Sequence, residues 1–207
     1  MGEDQCFLRF YDCNLACDFC DTKLETFREY SADALLDALR QEIGTRLINT
    51  VALTGGEPLV QRDFLLEFLP LLKKEGRRAY LETNGVLYNE LFDVIDYVDV
   101  IAMDIKLPSS TKQKEYWREH EEFLKTAAAK EAFVKVIICH DTQLADFKKA
   151  VSLVKGIDPS ITFVIQPNSA ELGRPLADKL QEFKKYSREH LSDVRVIPQI
   201  HKAVGIR

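Results

Sequence analysis

The chain has 207 residues, 46% of them hydrophobic, a formal net charge of −5 and an isoelectric point near 5.5. That length suits one domain with a sizeable core, and the acidic balance gives no electrostatic reason to bind nucleic acid or a membrane surface. No 18-residue apolar run occurs, and Met1-Gly2-Glu3-Asp4-Gln5 lacks the basic and apolar stretches of a secretory signal. Five cysteines, three of them crowded together, make a poor disulfide framework and point to a reducing cytoplasm.

Strand and helix signals then alternate along the chain. Residues 6–11 read as an apolar strand with Arg9 inside it. Ser31 is a natural N-cap for a helix with Leu35, Leu36, Leu39 and Ile43 on one face. A buried strand over 50–54 leads into Gly55-Gly56-Glu57-Pro58. A helix over 62–74 follows, with Phe64, Leu65, Phe68, Leu69 and Leu72, and Pro70 predicts that it kinks or splits. Further strands are expected over 79–83, 98–103, 133–138, 161–166 and 194–197. Further helices are expected over 111–130, 143–155 and 176–190, the first of them a solvated face anchored by Trp117. Such repeated units predict a parallel sheet with helices outside. Six or seven units are too few for a closed eight-unit barrel, so the expected fold is an α/β open, partial (βα)6-type TIM barrel. No linker or internal repeat divides residues 1–207, which predicts a single domain.

The chemistry-bearing residues begin with Cys13, Cys17 and Cys20, spaced CxxxCxxC with no fourth cysteine nearby. A four-iron, four-sulfide cubane normally takes four thiolates, so three of them hold three irons and leave the fourth open to another ligand. Structural zinc asks for four ligands, usually as two separated pairs. Only Cys6, Cys139 and the histidines remain to supply a fourth, none at finger-like spacing. Cys6 and Cys139 lie in apolar strand runs and read as core thiols.

The other polar clusters follow predicted strands, so they converge on one mouth of the barrel. In Gly55-Gly56-Glu57-Pro58, bare backbone and a carboxylate suit the two ends of an amino acid, with Glu57 placed to meet an ammonium. Glu82-Thr83-Asn84-Gly85, Asp104-Ile105-Lys106-Leu107-Pro108-Ser109-Ser110, Gln166-Pro167-Asn168 and Pro198-Gln199-Ile200-His201-Lys202 end later strands. Read alone, Asn84-Gly85 is a turn and Asp104 with Lys106 a salt-bridged strand end.

CxxxCxxC followed by Gly-Gly-Glu-Pro resembles the radical S-adenosylmethionine (SAM) enzymes. Phe7-Leu8-Arg9-Phe10, Cys20-Asp21-Thr22, Thr54 to Leu59 and the later strand-end motifs, in order, resemble the 7-carboxy-7-deazaguanine synthase family of that group. The resemblance implies a lyase of queuosine and 7-deazapurine biosynthesis. Its reaction contracts the ring of 6-carboxy-5,6,7,8-tetrahydropterin to 7-carboxy-7-deazaguanine and releases ammonia. It implies a 4Fe-4S cluster on Cys13, Cys17 and Cys20, SAM, and Mg²⁺ at Thr22. SAM is expected at Gly55, Gly56, Glu57, Glu82, Asn84, Ser109 and Ser110. Arg9, Thr54, His201 and Arg207 are expected on the substrate side, with His201 also catalytic. Expected partners are a flavodoxin or ferredoxin reductant and a second copy of the chain.

Two departures from the family pattern stand out. The family's usual opening strand and Ser-Ile-Gln-Gly-Glu-Gly loop have no counterpart before Cys13, and Asp12 stands where glycine is common. A negative charge at Asp12 is expected to make a cluster harder to reduce. The rival readings are another radical SAM enzyme, such as a glycyl-radical activase, and a non-catalytic iron–sulfur or zinc protein.

Overall fold

The computed structural model describes residues 4–20 and 26–198 of the chain. Seven strands form one sheet: β1 (Gln5–Phe10), β2 (Thr50–Gly55), β3 (Arg78–Thr83), β4 (Val100–Asp104), β5 (Glu131–Ile138), β6 (Thr162–Pro167) and β7 (Val194–Val196). Their order in the sheet is their order in the chain, and every neighbouring pair is parallel. A sheet that grows in one direction through right-handed crossovers keeps all its helices on one face. A doubly wound sheet would reverse its strand order part-way. Among the described residues β1 and β7 are the two edges, so the barrel is partial and open, as the count of units predicts.

The helices are α1 (Ala32–Ile43), α2 (Arg62–Lys74), α3 (Tyr88–Val94), α4 (Pro108–Thr111), α5 (Trp117–Ala127), α6 (Leu144–Ile157) and α7 (Arg174–Arg188). Strand alternation divides the sheet between two environments. Val51, Leu53, Leu81, Ile101, Met103, Val134, Val136, Phe163 and Ile165 join one core with helix residues such as Leu39, Phe68, Phe123, Phe147 and Phe183. Phe147 and Phe183 stack at 4.1 Å at its α6–α7 end. The intervening residues Arg9, Thr54, Glu82, Asp104, Lys135 and Gln166 therefore lie on the concave face, toward the C-terminal ends of their strands.

Local chemistry explains most boundaries. Ser31 caps α1, its hydroxyl accepting from the Ala34 amide at 3.3 Å, and Gly44 ends that helix at φ +54°. The polar stretch expected as one helix is broken, because Lys112 adopts a left-handed φ of +57° after α4 and the chain restarts at Trp117. Nor is α5 a solvated face throughout: His120 is fully buried beside Phe123, Leu124 and Ala127. α3 was not expected, since its two turns bury only Leu91 and Val94 and are too short to show a period.

Pro70 sits inside α2 without splitting it, held by the burial of Leu65, Phe68, Leu69 and Leu72 around it. It leaves the Leu66 carbonyl without its helical donor. Pro70→Ala restores that donor at the expense of a looser unfolded chain. It should raise stability by roughly 1–2 kcal/mol, read as a higher urea midpoint with an unchanged slope.

Candidate active site

The loop after β1 carries the three clustered cysteines, and the end of β2 clasps its base. Asp12 turns the chain at φ +75°, a region that glycine, asparagine and aspartate tolerate best. Its own Oδ1 accepts from the Cys13 amide at 2.8 Å. The amides of Gly56 and Glu57 donate to the carbonyls of Phe10 at 2.9 Å and Asp12 at 2.8 Å. A Cβ on Gly56 would lie 1.7 Å from the Asp12 oxygen, and one on Gly55 2.4 Å from that of Phe10. The glycines thus admit the chain's own backbone. Those two amides, expected to face a ligand, are spent on the loop instead.

Glu57 also departs from expectation, because its carboxylate points inward and is fully buried. Oε1 accepts from the Leu59 amide at 3.2 Å and the Thr83 hydroxyl at 2.9 Å, and Oε2 from the Asn84 amide at 2.7 Å. Burial pushes its pKa up to about 7, against the pull of the three donors and of Lys106. Its observed work is to cap the turn after β2 and to fix the end of β3.

Asn84 carries that order into the cysteine loop. Its Nδ2 donates to Asn14 Oδ1 at 2.7 Å and lies 3.9 Å from Cys13 Sγ, while its Oδ1 accepts from the Val86 amide. Burial raises the Cys13 and Cys17 thiols above their ordinary pKa, and each feels the charge of the neighbouring cysteines. Three thiols on one loop, mutually coupled and docked on two strand ends, fit the donor set of a three-thiolate cubane. Each thiolate of a cubane takes a different iron, so the thiols need not converge on a point. Among the described residues no three His, Cys, Asp or Glu side chains converge as ligands of a single ion.

Lys106 approaches the loop from β4. Its ammonium pairs with Asp104 at 2.8 Å and lies over the Phe19 ring at 5.6 Å. The pair is buried rather than at the solvent boundary. Burial lowers the lysine's pKa, but Asp104 and Cys17 more than offset it and leave the net shift upward. His120 locks the backbone beneath. Its Nε2 accepts from the Lys106 amide at 3.1 Å, so Nδ1 carries the hydrogen and donates to the Gly85 carbonyl at 2.9 Å. Burial drives His120 down to about 4. Gly85, at φ +68°, leaves no room for a Cβ beside Met103 and His120.

The other expected residues are distributed as follows. Thr54 donates to Glu82 Oε2 at 3.0 Å on the concave face, and Arg9 is exposed opposite Thr54. Ser110 shares a hydrogen bond of 2.7 Å with Thr142, and Ser109 accepts from the Gln143 amide, so both hydroxyls brace the β5–α6 loop. Cys6 and Cys139 are buried, as expected of core thiols, and burial pushes Cys139 up to about 11. Thr22, His201 and Arg207 lie outside the described residues. Asn14, His120 and Lys135 were missed. Only Lys135 carried a signal, as a charge between two valines in an apolar strand.

The Radical SAM superfamily model matches residues 8–142. A 7-carboxy-7-deazaguanine synthase of Geobacter sulfurreducens is 33% identical, aligned over 99% of this chain and 91% of its own. The chain belongs to the 7-carboxy-7-deazaguanine synthase family of radical SAM enzymes. A Thermoplasma acidophilum family member is 32% identical over 98% of the chain and 88% of its own. The crystal structure of QueE from Escherichia coli shares the fold, with a TM-score of 0.61 and 20% identity, covering 96% of this chain and 86% of that one. The family implies a 4Fe-4S cluster and SAM, which the three-cysteine loop fits.

Two predictions follow from this geometry. Gly56→Ala should leave the sheet folded by circular dichroism while iron uptake on reconstitution falls to background, because the Cβ displaces Asp12 and the loop with it. The buried pair Glu57 and His120 should mask each other in pH-dependent stability. Glu57, raised from 4.5 to about 7, contributes stability below pH 4.5 that is lost as pH rises through 7. His120, lowered from 6.5 to about 4, contributes stability above pH 6.5 that is lost as pH falls through 4. Glu57→Gln should therefore be less stable overall, yet gain stability with rising pH between 4.5 and 6.5. Its slope, read from urea midpoints, should approach roughly 1 kcal/mol per pH unit, where the unaltered chain is nearly flat.

Proposed function

We propose that the chain contracts 6-carboxy-5,6,7,8-tetrahydropterin to 7-carboxy-7-deazaguanine, releasing ammonia. The observation that carries the reading is the clasp of the three-cysteine loop onto the ends of β2 and β3. That places it on the same rim as the concave row of Arg9, Thr54 and Glu82. No observation favours the activase or non-catalytic readings, and two relatives aligned over 99% and 98% of the chain bear the synthase name.

In this reading Cys13, Cys17 and Cys20 hold three irons, and loading them displaces protons that burial keeps on the Cys13 and Cys17 thiols. When bound, the reduced cluster supplies the electron that cleaves SAM to the radical which begins the rearrangement. Gly55 and Gly56 offer carbonyl oxygens to the methionyl ammonium, since the Gly56 amide is spent. Glu57 acts behind them by holding the loop. Glu82, Asn84, Ser109 and Ser110 line the SAM side. Arg9 suits the substrate carboxylate bidentately, with Thr54, His201 and Arg207 beside it and His201 as the proton-handling group. Thr22 is the Mg²⁺ contact, a hard oxygen beside several waters. A flavodoxin or ferredoxin reductant and a homodimer complete the reading by resemblance. A reducing cytoplasm belongs to the same reading, since three crowded cysteines suit a metal cluster and make a poor disulfide framework.

The test is anaerobic reconstitution with iron and sulfide, then SAM, Mg²⁺, reductant and the carboxytetrahydropterin, followed by mass spectrometry. The unaltered chain should yield the deazapurine. Cys17→Ala should yield neither product nor 5′-deoxyadenosine, because two thiolates do not retain the cubane. SAM cleavage without deazapurine in the unaltered chain would overturn the substrate assignment.

A further inference from the structure

The contacts described above hold the first part of the cysteine loop, Asp12 to Asn14, and leave the part that carries Cys17 to a different element. The Asp18 amide donates to the Thr111 carbonyl at 3.1 Å. Gln113 Nε2 donates to the Ala16 carbonyl at 2.7 Å. Cys17 is thus bracketed by two hydrogen bonds, both reaching the turn that follows α4. Within the loop the Cys20 amide donates to the Cys17 carbonyl at 3.1 Å, so the same bracket bears on the third cysteine.

The break in the polar stretch after α4 is what makes this contact possible. In a helix running on through Lys112, the Thr111 carbonyl would accept from the amide four residues later. The left-handed φ of +57° at Lys112 ends the helix and frees that carbonyl for the loop. The buried Thr111 then directs the chain beyond the turn. Its hydroxyl donates to the Leu107 carbonyl at 2.9 Å and accepts from the Gln113 amide at 3.3 Å. The turn is anchored from its far side as well, where the Ser109 amide donates to Asp146 at 2.9 Å and Lys112 pairs with Asp141 at 2.8 Å. The loop therefore rests on a support with attachments of its own. We infer that Gln113 is a positioning residue which, with the Thr111 carbonyl, holds the Ala16 to Asp18 segment in place for a cluster on Cys13, Cys17 and Cys20. The assignment rests on the proposed cluster. It adds a support from the segment after β4 to those from β2 and β3.

The experiment uses anaerobically reconstituted protein, unaltered and as Gln113→Ala, Gln113→Glu, Gln113→Lys, Lys112→Val and Lys112→Gly. Glutamate keeps the shape of Gln113 without its donor, and lysine keeps a donor at similar reach. Valine disfavours the left-handed turn, and glycine adopts it freely. The readouts are the rate of iron release to a ferrous chelator, the electron paramagnetic resonance spectrum of the reduced cluster, and the melting temperature of the iron-free protein. Gln113→Ala, Gln113→Glu and Lys112→Val should release iron on the order of 3- to 10-fold faster, the worth of one hydrogen bond, with an altered spectrum. Gln113→Lys and Lys112→Gly should stay close to the unaltered protein. The Gln113 variants should all melt with the unaltered chain when iron-free. Unchanged release and spectrum in Gln113→Ala and Gln113→Glu would overturn the role of Gln113. So would a lowered iron-free melting temperature in both, which would make the contact a general prop of the fold. Gln113→Lys releasing iron as fast as Gln113→Ala would overturn the hydrogen bond as its basis. Unaltered protein that takes up no iron would overturn the cluster and this assignment with it.

Discussion

The buried carboxylate of Glu57 is the contact on which the rest of the site depends. One side chain receives donors from the turn after β2, from the end of β3 and from the Asn84 amide, and Asn84 in turn holds Asn14 and lies against Cys13. Its backbone amide meanwhile holds Asp12. Removing a buried carboxylate from water is costly, and three hydrogen bonds are what make the position tolerable. The gain is order in a loop that buries few apolar side chains of its own. A cysteine loop held only by its metal would assemble and come apart with it. This one is docked from two strand ends by backbone amides and by the Asn84 side chain.

The sheet's topology makes that economy possible. Strand order that follows chain order brings the ends of β1, β2, β3 and β4 side by side at one rim. Short-range hydrogen bonds then connect residues far apart in sequence, such as Asn84 to Asn14 and the Lys106 amide to His120. The helix-facing residues meanwhile form one apolar core, leaving the concave face its polar row. Stability and chemistry are thus assigned to opposite faces of the same strands.

The sequence was informative where a physical pattern repeats. Strands showed as β-branched and apolar runs, α1 as a capped amphipathic period, and the cysteine loop as a spacing few chemistries need. Contacts between distant residues were hidden. Nothing local distinguishes the inward Glu57 from a carboxylate offered to a ligand, because its direction is set by Thr83 and Asn84. His120 was disguised by the charged residues around it on α5, although it faces Gly85 and Lys106. Asp12 shows the opposite case. The family's glycine at that place reads as a small-residue preference, and the φ of +75° gives the reason for it. Aspartate satisfies the same turn by accepting from the next amide.

Asp104 and Lys106 show why such a site keeps an expensive arrangement. The pair is buried, and Asp104 Oδ1 has no hydrogen-bond partner among the described residues. An apolar pair of similar volume would serve stability as well or better. What the ion pair supplies is direction. It turns the Lys106 ammonium toward Phe19 in the cysteine loop and commits Asp104 Oδ2 at 2.8 Å, so that Lys135 at 3.8 Å stays on the concave face with donors to spare. A lone lysine at position 135 would be drawn into that carboxylate. A lone aspartate at position 104 would repel a thiolate cluster. Paired with it, Lys106 keeps its positive charge beside the loop, where it favours the thiolate forms of Cys13 and Cys17.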